Sequence, residues 1–561
     1  MEKYHAIVVG AGLAGSAAAL SLARRGHDVL VLEKARVPGH RNMTGGIIST
    51  RYLKGYGLED LVPDLSKTPL ERKITRQSVH LVSRPDRNGT YRILSMSGSS
   101  PFMRTGLIPN PNTGHDFSVL RGRLDRWFAS RAAEEGAMLA TEVTVEGLLK
   151  ENGRITGVRT DKEELLADVV IDASGVTSSL PVEIGLRPFL GPEAYYLGVK
   201  HVYRLTPDII EERFRLDGGE GAAHFYLGHF MKRVHGGAFL YTNRDTVSFG
   251  VVFKLLSYAK RCVDDLDLGK ALDILEEFEA HPSVASYLEG ATRVEYSGHL
   301  VPRGPQCLLN RPFHHGFLVA GDALGSFVKL GPMLDGMRMA IATGIMAAKA
   351  VDIAQARGDF SSRSLSMYRD LLDPIYRDMR RSRLDSFLFE NRFAYEFLPS
   401  VLLTIPYLSK RHRVLSTFLK QAPRNSIQMV QERTGLLLYD EDKQRSHIHV
   451  DQELCSRSAS KVWVPACPFN CYTLVLEKGV FTSYRDLYRL NLGDLAGQRG
   501  GNASRLSKDA ERITRDDITR AQVRFDHVAC VGCGTCGVLG PAEAVRFGHE
   551  RDGHGVRYSY G

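Results

Sequence analysis

Ala6-Ile7-Val8-Val9-Gly10-Ala11-Gly12-Leu13-Ala14-Gly15 is the stretch that decides how the first part of this chain folds. An apolar strand runs into a glycine turn and a helix of small residues through Ala23. A second apolar strand, residues 28–32, ends at Glu33. Strand, turn, helix and strand in that order make a dinucleotide-binding unit. Gly10 makes the turn, Gly12 lets backbone approach a pyrophosphate, and Gly15 lets helix and strand pack closely. Leu13 and Ala14 begin the helix, whose first N–H groups and positive dipole end suit an anion. Glu33, with Lys34 behind it, stands where a ribose hydroxyl is bound. A glycine-rich turn without a ligand fits the glycines alone; the flanking strands and the spaced acid favour the nucleotide.

Working outward, Asp168-Val169-Val170-Ile171-Asp172-Ala173-Ser174-Gly175 reads as a buried strand ending in a small-residue turn. Phe317-Leu318-Val319-Ala320-Gly321-Asp322-Ala323 reads as another, with an acid at the strand end where open α/β sheets bind ligands. Asp322 can hold the ribityl chain of a flavin, or simply cap the next helix. The helix after Asp335-Gly336 can turn its N-terminus to the flavin ring. Only one fingerprint occurs, so FAD is a better reading than a second nicotinamide domain. Residues 118–136 read as an amphipathic helix carrying Arg123 and Asp125, and residues 195–300 alternate as strands of a sheet.

The far end carries different chemistry. Cys530-Val531-Gly532-Cys533-Gly534-Thr535-Cys536 and a distant Cys467-Pro468 match the ligand set of one [4Fe–4S] cluster. Asp526 precedes Cys530, and Asp451 precedes Cys455, by the same interval, which reads as a duplicated half-domain. The first half keeps only the remote ligand and the second keeps the triplet. Structural zinc more often takes Cys pairs or Cys/His pairs. Disulfides are disfavoured because no export signal is expected before a strand that starts so early. Cys455 and Cys471 are expected to be spare thiols, and Cys262 and Cys307 small hydrophobes.

The chain has 561 residues, 43% of them hydrophobic and 24% charged, which is globular composition and too long for one core. Its net charge of +9 comes without a basic run interleaved with aromatics, so nucleic acid is not an expected partner. No apolar stretch is expected to reach the length of a spanning helix.

The first 430 residues resemble the electron-transfer-flavoprotein:quinone oxidoreductase family in its FixC-like branch, and the tail resembles a FixX-like ferredoxin. The resemblance is carried by the glycine turn, Gly39-His40-Arg41-Asn42-Met43-Thr44-Gly45-Gly46, Leu197-Gly198-Val199-Lys200 and Gly236-Gly237-Ala238-Phe239-Leu240-Tyr241. Cys467-Pro468-Phe469-Asn470-Cys471-Tyr472 and Gly553-His554-Gly555-Val556-Arg557-Tyr558 add to it. It implies that Gly10, Gly12, Leu13, Ala14, Gly15, Glu33, Lys34, Arg123, Gly175, Gly321, Asp322 and Gly336 bind FAD. It implies that Gly45 and Gly46 approach the flavin ring. Gly236 and Gly237 would meet a quinone, unless they form a plain β-bulge. Cys467, Cys530, Cys533 and Cys536 would ligate the cluster. Two departures stand out: Phe469-Asn470 where relatives carry Ala-Gly, and Val301-Pro302-Arg303-Gly304-Pro305 without the usual acid.

The expected architecture is α/β plus α+β. It has a Rossmann-type FAD-binding domain over residues 1–180 and 301–425, and a β-sheet substrate or quinone domain over 181–300. A ferredoxin-like iron–sulfur domain covers 441–561, with residues 497–522 as a surface insertion. The expected function is electron passage from electron-transfer flavoprotein to a membrane quinone, with no side-chain nucleophile or acid–base pair nominated. Peripheral contact with the inner face of the cytoplasmic membrane is expected, with residues 393–419 as an interfacial segment or an ordinary helix pair. The alternatives are a geranylgeranyl-reductase-like enzyme acting on isoprenoid double bonds, and a carrier subunit of a bifurcating complex. A single-component flavin hydroxylase is disfavoured, because nicotinamide would hand its hydride to flavin without a cluster.

Overall fold

The structure is a computed structural model. It describes residues 3–43, 46–84, 90–97, 114–264, 271–330, 333–390, 410–413, 436–438, 446–458, 461–476, 479–481, 515–527, 530–541 and 543–561. Strand β1, Lys3–Val9, lies between two parallel neighbours, Val29–Glu33 and Glu164–Asp172; Phe317–Val319 continues the sheet in parallel beyond the latter. The central runs of the first three strands, residues 6–9, 29–32 and 169–171, are apolar and buried, as in a covered parallel sheet. Helix α1, Leu13–Ala23, packs on the 21-residue helix Met337–Arg357. A Cβ on Gly344 would lie 2.2 Å from Ala14 O, so the two backbones touch. The longer helix is the most apolar long helix among the described residues, with mean hydropathy 1.2 over its most apolar window. Two thirds of that window is buried inside the protein, which makes it the central core helix of the nucleotide unit.

The second sheet runs Thr292–Pro302, Tyr195–Arg204, Thr246–Lys254, Gly236–Thr242, Glu220–Gly228, Lys73–Val82, Thr90–Ser97 and Lys410–Arg413. Ile47–Ser49 and Asp116–Ser118 attach beside it. It therefore draws strands from residues 47–118, which the sequence assigned wholly to the nucleotide domain. The connection that makes this possible is parallel: Lys73–Val82 pairs with Glu220–Gly228, a long-range partner no hairpin signal announces. Lys410–Arg413 is an edge strand on Thr90–Ile93 rather than part of a helix. The rest of residues 393–419, and residues 497–514 of the expected insertion, lie outside the described residues; Arg515–Arg520 is a helix leading into the strand Gln522–Phe525.

In the C-terminal unit, Ile448–Val450 pairs with Val545–Phe547 and Tyr472–Leu476 pairs with Gln522–Phe525, so each half supplies a strand to the other. This unit is not a separate globule. Trp463, Val464, Phe469 and Tyr472 share one apolar core with Leu197, Phe249 and Phe253 of the large sheet. Phe469, one of the two departures after Cys-Pro, packs on Tyr296 with ring centroids 4.7 Å apart and lies over the bare backbone of Gly298. Asn470 takes a left-handed φ of 56°, a conformation that asparagine tolerates better than most residues.

The final residues thread back into the flavoprotein. Glu295, 1% exposed, accepts the N–H groups of Ser559 (2.7 Å), Tyr560 (3.0 Å) and Gly561 (2.8 Å). Lys200, fully buried, donates to Gly561 O at 2.5 Å; burial pushes its ammonium down to about 8 while Glu295 opposes. Glu295→Ala leaves three N–H groups without their acceptor and removes the carboxylate charge that supports the buried Lys200 ammonium. Its expected cost is about 3–5 kcal/mol, read as a fall in thermal midpoint. Glu295→Gln, which keeps one acceptor oxygen, should lose less.

Candidate functional site

One cavity of about 660 Å³ runs from the glycine turn, along the end of the nucleotide sheet, to the inner face of the large sheet. Gly10, Gly12, Leu13, Ala14, Glu33, Lys34, Gly46, Gly175, Gly236, Gly237, Asp322 and Gly336 all line it. Gly45 lies outside the described residues. Gly15 and Gly321 sit behind the wall and act by packing. A Cβ on Gly15 would stand 1.8 Å from Gly10 O, and one on Gly321 2.8 Å from Ala14 Cβ. Gly12 is different: a Cβ there would meet only the side-chain ends of Arg121 and Asn42 at 3.7 Å, so its backbone is bared to the cavity.

Helix α1 carries no side-chain cap and no acid in its first turn, so its leading N–H groups are left for a ligand in the cavity. Glu33 is tied in place by two backbone donors, Ala11 N to Oε2 at 2.9 Å and Ala35 N to Oε1 at 2.8 Å. The same carboxylate thus fixes the glycine turn and keeps lone pairs for a hydroxyl. Burial raises the Asp322 carboxyl to about 6, against the pull of Arg121.

The arginine of the cavity is Arg121, not Arg123. Arg121 makes a two-pronged contact with Asp125 (Nε to Oδ1 and Nη2 to Oδ2, both 2.7 Å), and Asn42 Nδ2 donates to Asp125 Oδ2 at 2.5 Å. Arg123 points away, to Glu71 Oε1 at 3.0 Å and over the ring of Tyr560. The phase of the helix Arg121–Glu134 is the reason. Residues 121 and 125 share a face, and Asp125 is wholly buried, so its partner one turn back is the arginine drawn inward. An Arg and an Asp four apart was the missed signal.

Gly236 and Gly237 pair regularly with Phe253 and Val252, with no register shift, so they are not a bulge. A Cβ on Gly236 would lie 2.0 Å from Val252 O, and one on Gly237 2.9 Å from Tyr226 O, so the sheet itself requires both glycines. Around them the cavity is lined by Val79, Leu81, Met96, Phe225, Phe239 and Val252, with His235 and Lys254 beside Gly236.

Cys467, Cys530, Cys533 and Cys536 converge on one small buried pocket, and Cys471 joins them. Among the described residues no group of three or more His, Cys, Asp or Glu is gathered as for a single metal ion. His447 Nε2 lies 3.2 Å from Cys530 Sγ, and Gly532 N donates to the same sulfur at 3.4 Å. The Cys530 thiol is drawn down to about 5 by its hydrogen bond with Cys471 and by His447, against burial. Burial pushes Cys533 up to about 12. Val531 lines both this pocket and the large cavity, so the two share a wall.

A buried ion-pair joint ties that wall together. Glu550, on the C-terminal unit, accepts from Arg41 Nη1 at 2.7 Å and from Lys34 Nζ at 3.4 Å; Thr144 Oγ1 donates to Glu550 O at 2.8 Å. Burial alone would raise the Glu550 carboxyl, but Arg41 and then Lys34 hold it well below the carboxylate range. Its Oε1 lies 3.9 Å from His447 Nε2. Two histidines complete the cavity wall here; burial lowers His299 to about 4 and His549 to about 3, so both are neutral at pH 7. Sequence reading found none of this joint beyond Lys34.

The glycine turn, the uncapped helix start and the acid at the second strand's end define a FAD-dependent oxidoreductase, and the family model described as FAD dependent oxidoreductase matches residues 6–180. The probable electron transfer flavoprotein-quinone oxidoreductase YdiS of Escherichia coli (strain K12) is 36% identical over 409 residues, covering 72% of this chain and 90% of YdiS. FixC of the same strain is 38% identical over 393 residues, covering 69% and 86%. The chain belongs to this FixC and electron transfer flavoprotein-quinone oxidoreductase family. Among solved structures, a geranylgeranyl bacteriochlorophyll reductase-like protein of Thermoplasma acidophilum matches with a TM-score of 0.55 at 20% identity. That match covers 72% of this chain and 91% of that one, and is a likeness of fold.

Asp322 supplies a pH test. A carboxyl that binds its proton more tightly when folded stabilises the fold at acid pH, and that advantage is lost as pH rises from about 4 towards 6. Asp322→Asn in flavin-free protein is expected to raise the unfolding free energy at pH 7 by on the order of 3 kcal/mol. At pH 4 it should change little. Urea denaturation at the two pH values checks this.

Proposed function

We propose that this chain passes electrons from an electron-transfer flavoprotein, through FAD in the large cavity and one [4Fe–4S] cluster in the cysteine pocket, to a membrane quinone. The observation that carries the reading is the shared wall: Val531 belongs to both sites, with Gly532 on the cavity side between Cys530 and Cys533. The relatives' names supply the donor and acceptor; the two sites supply the path.

FAD fits the cavity by chemistry as well as by size. The bared Gly12 backbone and the uncapped start of α1 suit the pyrophosphate, Glu33 the adenine-side ribose, and Asp322 the ribityl chain. Bound there, FAD supplies exchange in one or two electrons, which a one-electron cluster and a two-electron quinone both need. Arg121 and Asp125 hold the wall near Asp322, and His299 and His549 line the cavity as neutral imidazoles. The largely apolar arm at Gly236 and Gly237 suits a flat ring with a lipid tail.

Four soft thiolates around one buried pocket suit an iron–sulfur cluster. The crossed strand pairs of the C-terminal unit are the arrangement a ferredoxin-like domain needs. The same reading puts the nucleotide domain over residues 1–180 and 301–425, lending strands from 47–118 to the sheet domain, and puts the protein on the inner face of the cytoplasmic membrane.

Anaerobically purified protein is expected to contain FAD with about four irons and four acid-labile sulfides per chain. Cys533→Ala should lose the sulfide and keep the flavin. Flavin bleached by a reduced electron-transfer flavoprotein should recover its absorbance when a short-chain quinone is added. Flavin that stays reduced under quinone, yet is reoxidised by a polyprenyl lipid, would replace this reading with the isoprenoid-reductase one.

A further inference from the structure

We propose that Cys471 is a reserve ligand: with Cys530, Cys533 and Cys536 it can hold the fourth corner of the cluster in place of Cys467. The inference rests on the iron–sulfur reading above and deepens it. The pocket is lined by five cysteines where four suffice. Cys471 is 2% exposed and lines the pocket together with Cys467 and Cys530, the two residues that a substitute for Cys467 must stand beside.

The backbone explains why a residue four places on returns to the same spot. Asn470 donates its N–H to Cys467 O at 3.4 Å and takes its left-handed φ of 56°. The chain reverses, and the Cys471 N–H points at Cys467 Sγ, also at 3.4 Å. The other non-ligand cysteines behave differently. Cys307 Sγ donates to Ala194 O at 2.9 Å, and Cys455 Sγ lies 3.9 Å from Ala544 O, each satisfied by backbone away from the pocket.

Two thiolates in one chemical class compete for an iron by position alone. In the exchange one Fe–S bond to Cys467 breaks and one to Cys471 forms. The proton of the Cys471 thiol passes to the departing Cys467 sulfur, and no electron changes hands. The arrangement gives this chain a cluster that survives loss or damage of its remote ligand.

The test compares native protein with Cys467→Ala, Cys471→Ala and the double variant, all purified without oxygen. Iron and acid-labile sulfide are counted per chain, the EPR spectrum is taken after dithionite reduction, and bound flavin serves as the folding control. Cys471→Ala is expected to keep the native sulfide content. Cys467→Ala should keep at least half of it with shifted g-values, and the double variant should lose it about tenfold. Cys467→Val, which fills the space alanine leaves, repeats the comparison if the alanine variant loses flavin. The inference is overturned if a flavin-replete Cys467 variant falls to the level of the double variant. Native protein without sulfide overturns the iron–sulfur reading itself, and this inference with it.

Discussion

The contact on which the rest of the architecture depends is the buried meeting of Glu550 with Arg41 and Lys34. Lys34 directly follows the acid that ends the second strand, and Arg41 lies in the loop that leads on to the cavity wall. The short C-terminal segment bearing Glu550 is thereby pinned to the mouth of the nucleotide site. A buried carboxylate with two cations costs much to desolvate and more to break, so it tolerates little variation in geometry. It sets where the cysteine pocket can lie relative to the cavity, within the span of a single residue, Val531.

Three further contacts act in the same direction. The last residues of the chain lay three consecutive N–H groups on Glu295, Lys200 reaches Gly561 from below, and Tyr296 donates to Pro468 O at 2.8 Å, beside Cys467. Around them runs an apolar core common to the large sheet and the C-terminal unit. Electron transfer over a fixed distance needs rigidity of this kind more than it needs reactive side chains. The cavity holds histidines kept neutral and glycines required by packing, and the catalytic power would lie in the cofactors.

Legibility differed sharply between backbone motifs and side-chain networks. The glycine turn could be read because Gly10 and Gly15 answer steric demands and Gly12 leaves backbone bare for a ligand, and so could the strand end at Asp322. Arg121 was missed in favour of Arg123 because two arginines two places apart are alike in composition. Only the helix phase, set by the buried Asp125, separates them. Cys471 was set aside as a spare thiol because spacing rules count along the chain, whereas Asn470 folds the chain back on itself. Gly236 and Gly237 were correctly placed on a strand, yet the reason that both are glycine lies in neighbours more than ten residues away.

Alone, the sequence determined the nucleotide-binding unit, the choice of flavin and the four candidate cluster cysteines, because these are local patterns whose chemistry is carried by residue type and spacing. Tertiary structure alone decided that strands from residues 47–118 join the large sheet, that the C-terminal unit shares its core, and that Glu550 and Glu295 lock it in place. Those are pairings of buried groups from distant parts of the chain. Burial multiplies their strength, and no periodicity in either segment announces the other.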